Sequence, residues 1–443
     1  MYPFWEVPLI TSGLIIAIIA SFHILPSHLA TGAFWFNVYI EREAVRKNRP
    51  ELFEFLKKFT LLILIFSFVI GSITGVGIWY SATVASPRGI SGLIHNYVWG
   101  WATEWVFFIL EIATIYVYYY TLGRIDKESH LKIGLTYALA AWISMIIITG
   151  ILAFMLTTGK WSETGGFFDG FFNETYWPQL FVRTSMMFGI AGLYAVIVAS
   201  RMKNDEVGKE IIKKASIWGI AGMVFGAIFS LWYLQKLPEN AKEMAFYGGL
   251  PYLKTLLYVA GTSYVVVLLY FVFFGLIRPR YAGVVSGIIM LIVLFVGIGA
   301  GEGFREGVRR PFVISQYMYG NQLIGRDIPA KGIKNEVERY QEEGFIKNIY
   351  WAGGLNLEEP KDRIKAGRIL TLYVCGNCHS LEVNGIIRPL PVLLSRLDPE
   401  SPDDIADFMD ALGDYPYMPP FPGNDEDKAL IGEFLFTLPK GGM

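Results

Sequence analysis

Residues 281–300 read YAGVVSGIIMLIVLFVGIGA, an apolar stretch without one charged side chain. At about 1.5 Å of rise per residue, a helix of that length spans about 30 Å, the thickness of a bilayer's hydrocarbon core. Lipid offers no partner to an unpaired backbone amide, so the stretch reads as a membrane-spanning helix. Seven more apolar runs precede it, at residues 10–40, 59–81, 94–122, 132–157, 178–200, 215–235 and 252–277. After Ala300 the composition turns polar: 301–360 is charged and contains glycine, and 361–443 has the mixed pattern of a small domain in water. The expected fold is all-α. A polytopic bundle of about eight transmembrane helices occupies 1–315, a linker 316–360, and a small external α-helical domain 361–443.

Composition agrees with this reading. Hydrophobic residues make up 53% and charged residues 17%, with mean hydropathy +0.41, well above a soluble enzyme. The net charge of −1 gives no attraction for nucleic acid; the expected partner of the surface is the lipid bilayer. The opening MYPFWEVPLI has no basic n-region and no cleavage site after a short apolar core, so the first run is expected to remain as a span. With the N-terminus outside, the inner segments carry 16 Lys and Arg and the outer loops 5, the asymmetry that orients membrane proteins. Eight crossings return the chain to the outside, so 301–443 is expected there as well.

The chain has two cysteines, Cys375 and Cys378, in the sequence Cys375-Gly376-Asn377-Cys378-His379. This is a C-x-x-C-H pattern: two thiols spaced to form thioethers with a haem's vinyl groups, and a histidine placed to ligate its iron. Zinc would need two more ligands, and 380–443 has no Cys or His after His379. A thioredoxin-like motif would need a βαβ setting, which is absent. Downstream, DYPYMPPFPG (414–423) offers Met418 in a proline-rich loop as the second iron ligand, and a thioether there raises the potential. Residues 361–373 form a helix into the motif. Residues 424–438 open with a cap-like Asn-Asp-Glu-Asp and continue with Leu430, Ile431, Phe434 and Leu435 at helical spacing. Together these features resemble class I cytochrome c, with one covalent haem c.

Ionisable residues inside a span are costly, and a functional role is the default expectation. His23 and His28 lie in the first span and His95 at the outer end of the third. Five residues put His23 and His28 about 140° apart on a helix, so they do not ligate one iron together. Glu104 and Glu111 are almost two turns apart and face one way, which suits proton transfer. GEGFREGVRRP (301–311) closes the last span with Glu302, Arg305, Glu306 and Arg309, carboxylates able to ligate iron and arginines able to clamp propionates.

In their order and spacing these residues resemble subunit I of the cytochrome bd quinol oxidases over about 1–315. His23-Ile-Leu-Pro-Ser-His-Leu-Ala-Thr-Gly32 is similar to the family's His-x8-Gly stretch, whose histidine ligates an active-site haem. GSITGVG (71–77) resembles the glycine-rich second span. Glu111 matches an acidic position of the third span, with Glu104 near a second. EGVRRPF (306–312) resembles the family's Glu-x-Gly-Arg-Gln-Pro-Trp, whose glutamate ligates the high-spin b haem. The resemblance implies His23 and Glu306 as ligands of membrane haem iron, with His28 and His95 as further candidates, while the planar guanidinium forks of Arg183 and Arg309 suit contacts to propionates. It implies one or more haem b, with haem d as a further candidate, and a second membrane subunit.

The chain departs from the family in informative places. In PQLFVRT (178–184), Arg183 stands where the family's low-spin b haem takes a histidine. The loop 236–251 is short where the family's is long and carries quinol-oxidising residues. A cytochrome c domain replaces the ninth span. The expected activity is that of a haem-dependent oxidoreductase subunit in a bacterial cytoplasmic (inner) membrane, with the N-terminus and c domain on the periplasmic side. Electrons would pass between the external c haem and membrane haems to reduce O2 or a similar small oxidant, with a quinol or a cytochrome as redox partner. Two other readings stay open: a menaquinol-oxidising conduit that delivers electrons outward, and a structural anchor carrying the c haem alone.

Overall fold

The computed structural model describes residues 1–439. Among the described residues, eight helices are long and apolar enough to cross a membrane: α1 (Ser12–Arg46), α2 (Leu52–Ala85), α3 (Pro87–Thr121), α4 (Lys127–Phe154), α5 (Tyr176–Ala199), α6 (Asp205–Gln235), α7 (Tyr252–Ile277) and α8 (Val284–Val308). Their number and order match the apolar runs, but several ends lie further out. Hydropathy registers only the stretch that sits in lipid. The backbone continues until a polar side chain satisfies its free amides. Thus α6 starts at Asp205, where Asn204 Oδ1 accepts from the amides of Glu206 and Val207, and α4 starts beside Asp126, which accepts from Ser129 at 2.8 Å.

The helices pack mainly as sequence neighbours, α3 on α4, α5 on α6 and α7 on α8, while α1 touches α2, α4, α5 and α8. The helix with two histidines is therefore the central one. Its close contact with α5 depends on Gly32, because a Cβ there would collide with the Met187 carbonyl. The core around α1 includes Leu29, Phe34, Ile40, Phe59, Tyr137 and Ile190, all buried. Three segments depart from regular α geometry: π-helical turns end α7 (Phe271–Ile277) and interrupt α2 (Leu64–Ile70), and α3 bends at Tyr97 (φ −127°, ψ 30°).

Beyond α8 the chain forms a small hairpin, β1 (Phe312–Ile314) against β2 (Met318–Tyr319), then α9 (Pro360–Val374), α10 (Leu390–Leu397), α11 (Pro402–Phe408) and α12 (Asp425–Phe436). Leu323, Val337, Tyr340, Phe345 and Ile349 share one hydrophobic cluster with Leu370, Leu430 and Phe434. Part of the expected linker 316–360 thus belongs to the core of the small domain. Only Val337 and Tyr340 keep a helical spacing, on the short helix Glu336–Glu343; the other apolar residues are scattered through turns and show no regular period.

Helix α9 crosses α12 at Gly367, where any Cβ would meet the Leu430 carbonyl. The cap expected at 424 is present as a capping box: Asn424 Oδ1 accepts from Asp427 N and Asp427 accepts from Asn424 N, both at 3.1 Å. Asp427 is fully buried and also accepts from the amides of Phe345 (2.5 Å) and Ile346 (3.0 Å). This one carboxylate ties the 345–346 turn to the start of α12.

Candidate functional site

Helix α9 ends at Val374, and the C-x-x-C-H loop follows at once. The two cysteines are not joined in a disulfide. His379 Nδ1 donates to the carbonyl of Arg388 at 3.0 Å. A carbonyl only accepts, so the proton sits on Nδ1 and the lone pair on Nε2, the tautomer an iron ligand needs. Burial, together with the charges of Arg388 and Arg310, pushes the imidazole down to about 4, so it is neutral at physiological pH. Arg388 holds its carbonyl in this position with φ +40°, a left-handed conformation uncommon outside glycine.

Arg388 also joins the histidine to the methionine loop. Its guanidinium lies over the ring of Tyr417, 5.5 Å from the centroid, and over Tyr252 at the start of α7, at 5.7 Å. Tyr417 is the neighbour of Met418, whose amide donates to Tyr415 O at 3.0 Å. The two expected ligands of the c-type iron, 39 positions apart in the sequence, are thus linked through one arginine. Tyr417 packs on the apolar cluster of Leu156, Leu237, Leu253, Phe304 and Val308, so the methionine loop rests on the end of the bundle.

Inside the bundle the histidines differ. His23 is half-buried and its Nδ1 lies 3.0 Å from Thr74 Oγ1. That hydroxyl donates to Ile70 O at 2.8 Å, so His23 Nδ1 is the donor and Nε2 keeps its lone pair. The ring lies against the glycine-rich part of α2, where a Cβ on Gly75 would come within 3.3 Å of it. His28 is 3% exposed; its Nδ1 donates to Ile24 O at 3.0 Å, and its buried Nε2 has no hydrogen-bond partner. Buried polar atoms are nearly always paired. An unpaired imidazole nitrogen with the lone pair available fits an iron ligand, so both histidines suit a haem. His95 is exposed on α3, its Nδ1 donating to Ser91 O at 2.8 Å, and no hydrogen bond among the described residues joins it to the other two.

The charged end of α8 forms two ion pairs, each one turn apart. Glu302 accepts from Arg305 at 2.7 Å, and Glu306 accepts from Arg309. Arg309 is 4% exposed with its Nε unpaired, while the Glu306 carboxylate remains 44% exposed. Arg183 is half-buried on α5, within electrostatic reach of Glu302 and Arg305 and of His23 and His28. The helices that carry these candidates, α1, α5 and α8, pack on one another.

Glu104 and Glu111 share a face of α3, as their spacing implies. Ser144 of α4 donates to Glu104 at 2.9 Å, and Glu111 is 5% exposed. Sequence reading left out a third buried group near the other end of α1. Glu41 accepts from Tyr118 OH at 2.7 Å and lies 2.5 Å from His130 Nδ1, whose Nε2 is 2.9 Å from the Tyr118 carbonyl. All three side chains are nearly inaccessible. His130 lies in the first turn of α4, in a polar stretch, and nothing local marks its partner, 89 positions away.

The loop 236–251 holds a short helix, Glu239–Phe246, with Ala241, Met244 and Ala245 buried against the bundle and Glu239 and Glu243 outward. Among the described residues no group of three or more His, Cys, Asp or Glu gathers as a metal-ion cluster; a haem iron requires only one or two protein ligands.

Superposition on solved structures finds bd oxidase from Geobacillus thermodenitrificans, with a TM-score of 0.57, 14% identity, and coverage of 73% of this chain and 90% of that chain. The membrane bundle has the bd oxidase fold. At this identity the likeness concerns the fold alone. No protein-family model matches the chain, and no curated protein does.

Proposed function

We propose that this chain is a haem-bearing subunit of a bd-like membrane oxidoreductase. In this reading a c haem is attached at Cys375 and Cys378 and ligated by His379 and Met418. Haems of b or d type are held in the bundle by His23 and Glu306, with His28 as a further ligand. Electrons pass between the two regions to reduce O2 or a similar small oxidant. Glu104 and Glu111 carry protons, and Arg183 and Arg309 contact propionates. A second membrane subunit, and a cytochrome or quinol as redox partner, complete the assembly in a bacterial cytoplasmic membrane, with the c domain outside.

The observation that carries this reading is the seat of the C-x-x-C-H loop. Its Asn377 bonds to Ser12 at the start of α1 and to Gly320 in the hairpin after α8, which supports a site beside the bundle. Haem held at His379 and haem held in the bundle would supply one-electron transfer between the two regions. The packed 239–246 helix leaves little chain to build a quinol pocket in that loop, which favours entry or exit of electrons through the c-type site.

The deciding experiment is a pyridine haemochrome assay with acid–acetone extraction on the purified protein. One non-extractable c haem per chain and at least one extractable b or d haem is the expected result. A protein with c haem alone would reduce the bundle to an anchor.

A further inference from the structure

Asn377 lies inside the attachment loop, yet it has no part in attaching or ligating a haem. Both ends of its carboxamide are used on the bundle side. Oδ1 accepts from Ser12 Oγ at 3.1 Å, and Nδ2 donates to the Gly320 carbonyl. Ser12 is the first residue of α1, the helix of His23 and His28. Gly320 follows β2, and its amide donates to Pro311 O at 2.8 Å, two residues past Arg309. A Cβ built on Gly320 would lie 3.9 Å from Cys378 Sγ, and one built on Gly13 would lie 3.5 Å from the Asn377 carbonyl. One side chain therefore bonds the start of α1 and the hairpin after α8 together at the attachment loop.

Other contacts tie the small domain to the N-terminal segment before α1, and Phe4 of that segment also lies against Gly376 of the loop. Ile386 N donates to Leu9 O at 2.8 Å, Arg368 pairs with Glu6 at 2.5 Å, and Tyr373 OH donates to Tyr2 O. Phe4 packs edge-on to Tyr373, with ring centroids 6.1 Å apart. None of these reaches both helices that bear the candidate membrane ligands.

We infer that Asn377 is a positioning residue that clamps the C-x-x-C-H loop to α1 and to the hairpin after α8, so that electrons cross from a fixed seat and not from a mobile arm. The inference rests on the proposed function for the presence of haem, but not for the clamp itself. One electron is lost by iron at His379 and gained by ferric b-type haem iron in the bundle, or the reverse. No bond is made or broken at Asn377, and no proton moves. Electron transfer rates fall steeply with distance, so a loop that drifts by a few ångströms slows the crossing without changing either iron's ligands.

The test uses the whole protein in lipid nanodiscs, comparing wild type with Asn377→Ala, Asn377→Asp and Ser12→Ala. Asp keeps the acceptor for Ser12 and loses the donor to Gly320, so an intermediate effect is expected. In Asn377→Ala, covalent haem should be unchanged. Amide hydrogen exchange in 9–14 and 318–324 should rise at least tenfold. Electron equilibration between c and b haems, after flash reduction by a photoexcited ruthenium complex, should slow at least tenfold. Unchanged amide exchange and an unchanged rate would overturn the inference. If Asn377→Ala fails to mature, Ser12→Ala decides in the same way, since it leaves the attachment loop intact. Wild-type protein without c haem would refute the proposed function, while amide exchange would still read the clamp.

Discussion

The Nδ1 of His379 donates to the carbonyl of Arg388 at 3.0 Å, and the guanidinium of the same Arg388 lies 5.5 Å from the ring of Tyr417. One arginine so fixes the tautomer of the first candidate ligand and the loop of the second. Met418→Ala should leave the haem covalently attached, because the thioethers depend on Cys375 and Cys378. It should convert the iron to a high-spin or water-ligated form with a lower potential, because a thioether favours the reduced state. Optical redox titration checks this, and an unchanged spectrum and midpoint would remove Met418 from the site.

His28 has a buried Nε2 without a partner, and His23 has an Nε2 left free by its bond to Thr74. His28→Ala and His23→Ala should each lower extractable haem per chain while covalent haem stays constant. Haem counted by pyridine haemochrome decides between them. Full b or d content in both variants would take the α1 histidines out of haem binding.

Glu111 is buried beside Glu104 on one face of α3. Glu111→Gln keeps the shape and removes the exchangeable charge. Oxidant-driven turnover should fall about tenfold, roughly 1.4 kcal/mol of barrier. Glu128→Gln, whose carboxylate is exposed and pairs with Lys132 at 2.8 Å, is the control and should retain full rate. Equal rates in the two variants would exclude Glu111 from proton transfer.

Asp427 accepts from Phe345 N, Ile346 N and Asn424 N while fully buried. Asp427→Ala leaves these amides without their acceptor, and a buried unsatisfied donor costs about 1–3 kcal/mol. The small domain should lose on the order of 3 kcal/mol or more, read as an earlier chemical-denaturation midpoint of the Soret signal. The bundle's own helical signal should be unaffected. Asp427→Asn, which keeps one acceptor oxygen, should fall between the two.

The bundle was legible because a membrane imposes a one-dimensional rule: a backbone in lipid must bond within its own helix, and apolar length alone reveals it. The same holds for the helix that leads into the C-x-x-C-H loop, and for Glu104 and Glu111, where helical periodicity sets a common face. Helix ends were less legible, since the polar caps at Asn204 and Asp126 lie outside the apolar signal.

What only the tertiary structure decided involves partners distant in sequence. Glu41 meets His130, Asn377 meets Ser12, and Asp427 meets Phe345, pairs separated by 89, 365 and 82 positions. The stretch 316–360 reads as a linker, yet it completes the core of the small domain. Sequence patterns record the periodicity a residue shares with its neighbours along the chain. The seat of the attachment loop on the bundle depends instead on which surfaces meet after the helices have packed, and no local spacing encodes that.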